Sequence, residues 1–195
     1  SSLRATAAYN TKEEKFNTNA EIYNLHLKNI MPNIPLHSAT LKIDAEGCGT
    51  DIFDPRTYYN CNIAIDSIHY DNYRFKAIEF TAQQNLSDSE IEFNSKSPNL
   101  QLEFRADTHI DSTRIDSRAK LNLNKADFQN LGITDAPLNL AFNMNIQAES
   151  NLLETHSINI QGNDFKLETN DRTFTPAALN LEASTSPENS FLNIA

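Results

Sequence analysis

Leu138-Asn139-Leu140-Ala141-Phe142-Asn143-Met144-Asn145-Ile146-Gln147-Ala148-Glu149 keeps a period of two for twelve residues. Successive strand side chains point to opposite faces, so this stretch presents one oily face and one wet face. A helix needs apolar residues at steps of three and four, which the stretch does not supply. The same alternation returns in Leu100-Gln101-Leu102-Glu103-Phe104-Arg105-Ala106-Asp107, Leu41 to Glu46, Ala119 to Asn124 and Leu179 to Ala183. Shorter copies are Ile91 to Phe93, Ile158 to Ile160 and Phe165 to Glu168. The pattern predicts an all-β chain of about eleven to thirteen strands with little helix.

Two segments change phase midway. Tyr73, Phe75 and Ala77 give way to Ile78, Phe80 and Ala82, and Phe16, Thr18, Ala20 and Ile22 give way to Leu25 and Leu27. An extra residue of this kind is absorbed by a β-bulge, which bends and twists its strand. Prolines mark breaks at Met31–Pro35, Phe53–Arg56, Lys96–Asn99, Thr134–Pro137 and Thr173–Pro176, because proline donates no ladder hydrogen bond. Thr11-Lys12-Glu13-Glu14 has capping-box spacing, and Lys125 to Gly132 has room for one or two helical turns. A proline precedes each of Leu100, Leu138 and Leu179, a faint repeat of 38 and 41 residues with about three strands per step. Glycine is scarce at 4 residues and asparagine abundant at 25, so asparagine is expected to stand in for glycine where a turn needs positive φ.

Leu, Ile and Phe make up 47 of 195 residues, enough to build a core, while Val and Trp are absent. The formal net charge of −10 would repel a nucleic-acid backbone and an anionic membrane surface alike, and is read as a source of solubility. No run of 18 apolar residues exists, so no segment is expected to span a membrane as a helix, and no signal peptide is visible. The start without Met and the end inside an alternating pattern lead to the expectation of one β-rich segment, residues 1–195, cut from a longer repetitive protein. Cys61 is in phase with Ile63 and Ile65, whereas Cys48 is out of phase with Ile43 and Ala45; the two are read as more often free than paired.

A dozen amphipathic strands must hide their oily faces. A filled β-sandwich does this. A propeller fits the period loosely but lacks blade aromatics, and a parallel β-helix wants more glycine. An outer-membrane barrel would turn its oily face to lipid behind aromatic girdles. The remaining architecture is an elongated, curved amphipathic sheet folded over an apolar groove, a β-taco or open solenoid-like form. Strands stacked a dozen deep at about 4.8 Å would give a trough of roughly 50–60 Å.

The chain resembles the TamB family of Gram-negative envelope proteins, within the wider AsmA-like group. His26-Leu27-Lys28-Asn29-Ile30-Met31-Pro32 is similar to the family's strand ending in a short proline link. Leu41 to Gly49 followed by Asp51-Ile52-Phe53-Asp54-Pro55-Arg56-Thr57 resembles its connector of glycine and F-x-P-x-T type. Ile63 to Phe75 and Asp88 to Asp107 resemble the units that follow, and the likeness is spread over most of residues 1–183. It implies a periplasmic segment of a bridge anchored in the inner membrane, carrying phospholipid toward the outer membrane. It also implies a link to outer-membrane protein assembly through a partner barrel. It implies no catalytic motif and no cofactor.

On this reading the groove is lined by Ile43, Ile63, Ile65, Phe80, Ile91, Phe93, Leu100, Leu102, Phe104, Leu121, Leu123, Leu138, Leu140, Phe142, Met144, Ile146, Ile158, Ile160, Phe165, Leu167, Leu179 and Leu181. Each CH₂ withdrawn from water is worth about 0.8 kcal/mol, and a run of similar side chains lets an acyl chain slide without a deep trap. The alternative is that these residues fill the closed core of a structural or adhesive β-sandwich of the envelope. Exposed terminal strands would also favour self-association of the segment, since bare edges attract edges.

Enzyme readings find little support. His26, His37, His69, His109 and His156 are scattered, and no G-x-S-x-G, H-E-x-x-H or Walker loop occurs. His109 and Asp111 share a strand phase, but a catalytic zinc usually needs three protein ligands. The many Asp and Glu residues allow a glycosidase pair in principle and are better read as the wet face of the strands.

Overall fold

The alternating segments form thirteen strands in the computed structural model, which describes residues 1–26, 36–70 and 73–195. They are β1 (Ser2–Asn10), β2 (Lys15–His26), β3 (Leu36–Cys48), β4 (Tyr58–Tyr70), β5 (Tyr73–Asn85), β6 (Asp88–Ser97), β7 (Leu100–Ile110), β8 (Ile115–Asp127), β9 (Leu138–Ser150), β10 (His156–Thr169), β11 (Thr173–Phe174), β12 (Ala178–Thr185) and β13 (Ser190–Ile194). All lie in one antiparallel sheet, in the order of the chain from β1 to β10 and on to β12 and β13, with β11 pairing beside β10. The sheet is open: β1 and β13 are its edges and do not meet. At about 4.8 Å per strand the path from β1 to β13 measures about 53 Å. No helix occurs among the described residues.

Both helix candidates fold otherwise. Thr11–Glu14 is the hairpin turn between β1 and β2, where Asn10 Oδ1 accepts from the Lys12 and Glu13 amides. Lys125 to Asp127 complete β8, and the chain then turns once, Leu131 N donating to Asp127 O at 2.9 Å. Side-chain pairing of β8 with β7 and β9 outweighs a single helical turn.

Asparagine and aspartate serve the turns in a different way from that expected. Asp111 Oδ1 accepts from the amides of Thr113 and Arg114, and Asn151 Oδ1 accepts from those of Leu153, Glu154 and Thr155. The side-chain carbonyl replaces a backbone acceptor. Positive φ falls instead on Glu14, Ala77, Leu86, Leu152 and Asp164, with Asn24 the one asparagine among the described residues. The proline repeat also reads differently in space. Leu100 opens β7, Leu138 opens β9 and Leu179 lies in β12, so each step holds one hairpin of two long strands, not three.

The bulges have an order that individual strands do not reveal. Both expected phase changes are present: the ladder of β2 with β3 slips between Ile22 and Leu25, and β5 crosses a positive-φ residue at Ala77 between Phe75 and Ile78. Three more occur, at Asp66 of β4, between Leu123 and Ala126 of β8, and between Asn163 and Lys166 of β10. The cross-strand register sets these five at nearly one level of the sheet, next to the row that contains Ile22, Leu41, Ile65, Ile78, Leu102, Leu123 and Phe142, and a further slip of β3 against β4, between Leu36 and Ser38, lies nearer the strand ends.

Beside that line the loop of residues 128–137 fills a notch. The hairpin of β6 and β7 turns back at Pro98-Asn99, whereas β5 starts further out, at Tyr73. The loop returns across the gap until Gly132, at φ +73°, lies against the Tyr73 ring with no room for a Cβ. Ser95 and Ser97 of the short hairpin are almost fully buried, and the Ser95 hydroxyl donates to the Leu100 carbonyl at 2.7 Å.

The two cysteines sit on opposite faces and are free. Cys48 pairs across the ladder with Lys15 and Tyr58, and Cys61 with Ala45 and Ala82.

Candidate functional site

Cross-strand partners line up into rows that run perpendicular to the strands. The central row of the apolar face is Ala5, Ala20, Ile43, Ile63, Phe80, Phe93, Phe104, Leu121, Met144, Gly162 and Leu179. One residue comes from each strand between β1 and β12 except β11, so the row has no gap in register. Next to it runs a row of smaller side chains: Ala7, Thr18, Ala45, Cys61, Ala82, Ile91, Ala106, Ala119, Ile146, Ile160, Leu181 and Ile194. On the other side lies the row beside the bulges, from Leu3 and Ile22 to Ile78, Ser95, Leu102, Leu123 and Phe142.

All twenty-two residues named from the sequence fall on this face. Seventeen are in the three rows, counting Phe165, whose ring stacks on Phe142 at 5.6 Å. Leu100, Leu140 and Leu167 lie in line beyond the bulges, Ile158 lies on the opposite flank, and Leu138 stands at the start of β9 opposite Thr169. Gly162 is the one gap in the central row, and Phe165 fills it: a methyl group on Gly162 would come within 2.6 Å of Phe165 Cζ. The sequence reading left out Ile22, Leu41, Ile68, Phe75 and Ile78, which share the face. Ile22, Phe75 and Ile78 belong to the two phase changes visible in the sequence and Leu41 to the alternation of Leu41 to Glu46, whereas Ile68 takes this face only because β4 slips at Asp66.

The face is covered only in part. Leu123 is the one named residue that is buried; the other twenty-one are half-buried. Buried apolar side chains among the described residues are Ala20, Ala39, Ile78, Ala82, Ile110, Leu123 and Ala126, and four of these are alanines. The chain exposes 12893 Å², whereas a compact 22.0 kDa protein exposes about 9,300 Å². That excess of more than a third belongs to a molecule that has not closed over its apolar side chains.

Polar side chains bound the apolar band. Tyr59, Gln84, Ser89, Thr108 and Ser117 form a row on the same face toward one end of the strands. The Tyr59 and Ser89 hydroxyls lie 3.2 Å apart, those of Thr108 and Ser117 2.9 Å apart, and Gln84 Nε2 donates to the Ile52 carbonyl in the 49–57 connector. Thr57 of that connector is buried and its hydroxyl donates to the Asp51 carbonyl.

The other face is charged. Its central row reads Asp44, Asn62, Thr81, Glu92, Arg105, Lys120, Asn145, Gln161 and Asn180. Arg105 meets Glu90, Glu92 and Asp107, and Arg114 meets Asp116 and Glu149. These pairs are exposed and add little stability. The hollows described on the surface lie mostly among polar-face side chains, as in the cleft between Asp88, His109, Arg114, Asp116 and Glu149. The named residues of the apolar face, half-buried in all but one case, are open to solvent along the sheet.

The titratable groups have structural partners. His109 Nδ1 lies 2.8 Å from Asp88 Oδ1, and this hydrogen bond raises the imidazole pKa. Asp111, which shares the strand phase of His109, accepts from the Thr113 and Arg114 amides of the 111–114 turn, and these hydrogen bonds hold its pKa down. Among the described residues no three His, Cys, Asp or Glu side chains gather as metal ligands. Burial on the apolar face, with the Asp44 charge adding to it, pushes the Cys61 thiol up. In the connector, hydrogen bonds from Arg56 hold the Asp54 carboxyl down at about 2.

Comparison of the chain with family models, with curated proteins and with solved structures found no match.

Proposed function

We propose that this chain is a periplasmic segment of an inner-membrane-anchored bridge. Its apolar face shields the acyl chains of phospholipid on their way to the outer membrane and thereby serves outer-membrane biogenesis and protein assembly. The observation that carries the proposal is the uninterrupted central row. Ten of its eleven positions bear a side chain, every one of those side chains is apolar, and the row crosses the sheet at right angles to the strands.

A sheet of this kind forms a trough if it folds along a line parallel to its rows. The five aligned bulges supply such a line, because a bulge bends its strand toward one side. Phe80, Phe93 and Phe104 on three consecutive strands give an acyl chain a continuous floor, and the alanines of the neighbouring row leave room beside it. A sixteen-carbon chain that leaves water gains on the order of 12 kcal/mol, spread evenly along its length. The hydroxyl and amide row from Tyr59 to Ser117 offers the boundary at which a headgroup stays hydrated. The role needs no chemistry from the chain, and the likeness to the TamB family supplies the compartment and the partner barrel.

The alternative of a closed structural or adhesive β-sandwich fits less well. A sandwich needs two packed sheets and large buried side chains, whereas one sheet and a mostly alanine core are present here.

The test is expression of the chain in the periplasm of a Gram-negative host with a photo-crosslinking residue at Phe104 or Phe142. Lipid extraction and native mass spectrometry of the purified chain accompany it. Phospholipid that copurifies, and crosslinks from Phe104 but not from Arg105 on the other face, are the expected results. A lipid-free chain with no crosslink at either apolar position refutes the proposal.

A further inference from the structure

Three of the five histidines, scattered along the chain, are brought to one place on the polar face. Ser38 of β3 pairs with His69 of β4, and beyond it the ladder slips, so that Leu36 faces Tyr70 and His37 is the extra residue. The ring of this extra residue lies against that of His69, with centroids 5.0 Å apart and planes 29° from parallel. His26 of β2 pairs with the same Ser38 from the other side. His26, Ser38 and His69 therefore stand side by side on one face, while Leu25, Ala39 and Ile68, one position along, take the apolar one.

The ring nitrogens of this group are unspent. Among the described residues only His109 and His156 hydrogen-bond through a ring nitrogen, to Asp88 and Ser150. His37 and His69 are half-buried, and His26 is exposed. Two imidazoles bound side by side on one zinc, with bonds of about 2.1 Å and a tetrahedral angle, have centroids about 5 Å apart. That is the spacing His37 and His69 already have. His26 and His69 are two strands apart, about 10 Å between Cα atoms. Two imidazoles span that distance through a shared ion above the small Ser38. As the side chains stand, no three ligands gather among the described residues, so two are in place and the exposed His26 has to turn inward.

The ligand type chooses the ion. Neutral imidazole suits zinc and copper(II), whereas magnesium and calcium take oxygen ligands. Arg74 of β5 pairs with His69 on its other side and is exposed. Its charge opposes a dication and would assist an anion, which makes it the residue that separates the two chemistries.

We propose that His37 and His69, with His26 as third ligand, bind one ion of the zinc or copper(II) class on the polar face above Ser38, with water at the remaining position. The ion ties β2, β3 and β4 together where the β3–β4 ladder slips. The site lies on the face opposite the apolar band and does not depend on what that band carries.

Zinc titration by isothermal calorimetry tests it, in a background of Cys48→Ser and Cys61→Ala that removes the thiols. One ion per chain is expected, with no comparable binding of magnesium. His37→Ala, His69→Ala and His26→Ala should each weaken binding by about tenfold or more, since loss of even an outer partner of a metal ligand costs about 10–100-fold. His156→Ala, away from the site, should leave it unchanged, and Arg74→Ala should leave it unchanged or tighten it. In the chain with all five histidines, copper(II) should broaden the imidazole resonances of His26, His37 and His69 before those of His109 and His156, a readout that needs no histidine variant to fold. No zinc binding, an affinity that any one of the three histidine substitutions leaves unchanged, a loss of binding in Arg74→Ala, or copper that broadens all five histidines alike overturns the proposal.

Discussion

The middle of the sheet and its two edges are made from the same kind of sequence and end in different states. From β4 to β10 apolar-face residues are half-buried or buried and polar-face residues mostly exposed, whereas β1 and β13 are exposed at every position. Phe104 lies between Glu103 and Arg105, and Leu192 between Phe191 and Asn193. Phe104 has Phe93 and Leu121 beside it, while Leu192 has Ala183 on one side and solvent on the other. In a single sheet with no second layer, cover comes from the strands alongside. Local pattern therefore sets which face a residue takes, and position in the sheet sets how much water it loses.

That contrast can be tested from both ends. The largest loss is expected for Leu123→Ala, which empties the most covered large position of the named set; urea denaturation should report about 2–4 kcal/mol. Next is Gly132→Ala, where the new methyl collides with Tyr73 and the backbone holds positive φ. About 2 kcal/mol is expected there, and Tyr73→Ala should recover the steric part alone. Gly162→Ala should displace the Phe165 ring from the central row at about 1 kcal/mol, with a change in the Phe142–Phe165 contacts by nuclear magnetic resonance. Leu192→Ala on the edge should stay within about 0.5 kcal/mol; a loss like that of Leu123→Ala would mean that the edge is covered in solution.

The smallest effect concerns pH. The Asp54 carboxyl is held at about 2, below its ordinary 3.8, by hydrogen bonds from Arg56. A lowered folded pKa gives stability that is present above 3.8 and lost as pH falls toward 2. Carbon-detected titration of Asp54 should show the low value, and Arg56→Ala should raise it only part of the way back, because the amide of residue 56 still donates to Asp54 Oδ1. Because both groups are in an exposed connector, the change in overall stability should be slight.

Much of the apolar face was legible before any coordinates. Period two identified the faces of Leu138 to Ile146 and Leu100 to Phe104, and phase counting separated Cys61 from Cys48. The polar margin was not legible. Ser89, Thr108 and Ser117 sit in phase with Phe93, Phe104 and Ala119, and only the ladder shows that they stand side by side with Tyr59 and Gln84. The slips at Asp66, Leu123–Ala126 and Asn163–Lys166 were missed for a related reason. A single apolar residue out of step, such as Ile68 or Ala126, is weak until its partner strand is known.

The alternation by itself determined an all-β chain, the two faces of each strand and the residues of the apolar band, because side-chain direction along a strand is a local property. The tertiary structure decided that the strands form one open sheet in chain order, that five bulges fall on one line, and that the 128–137 loop fills a notch beside Tyr73. Each of these depends on pairing between residues far apart in the chain, and a period of two carries no information about the partner.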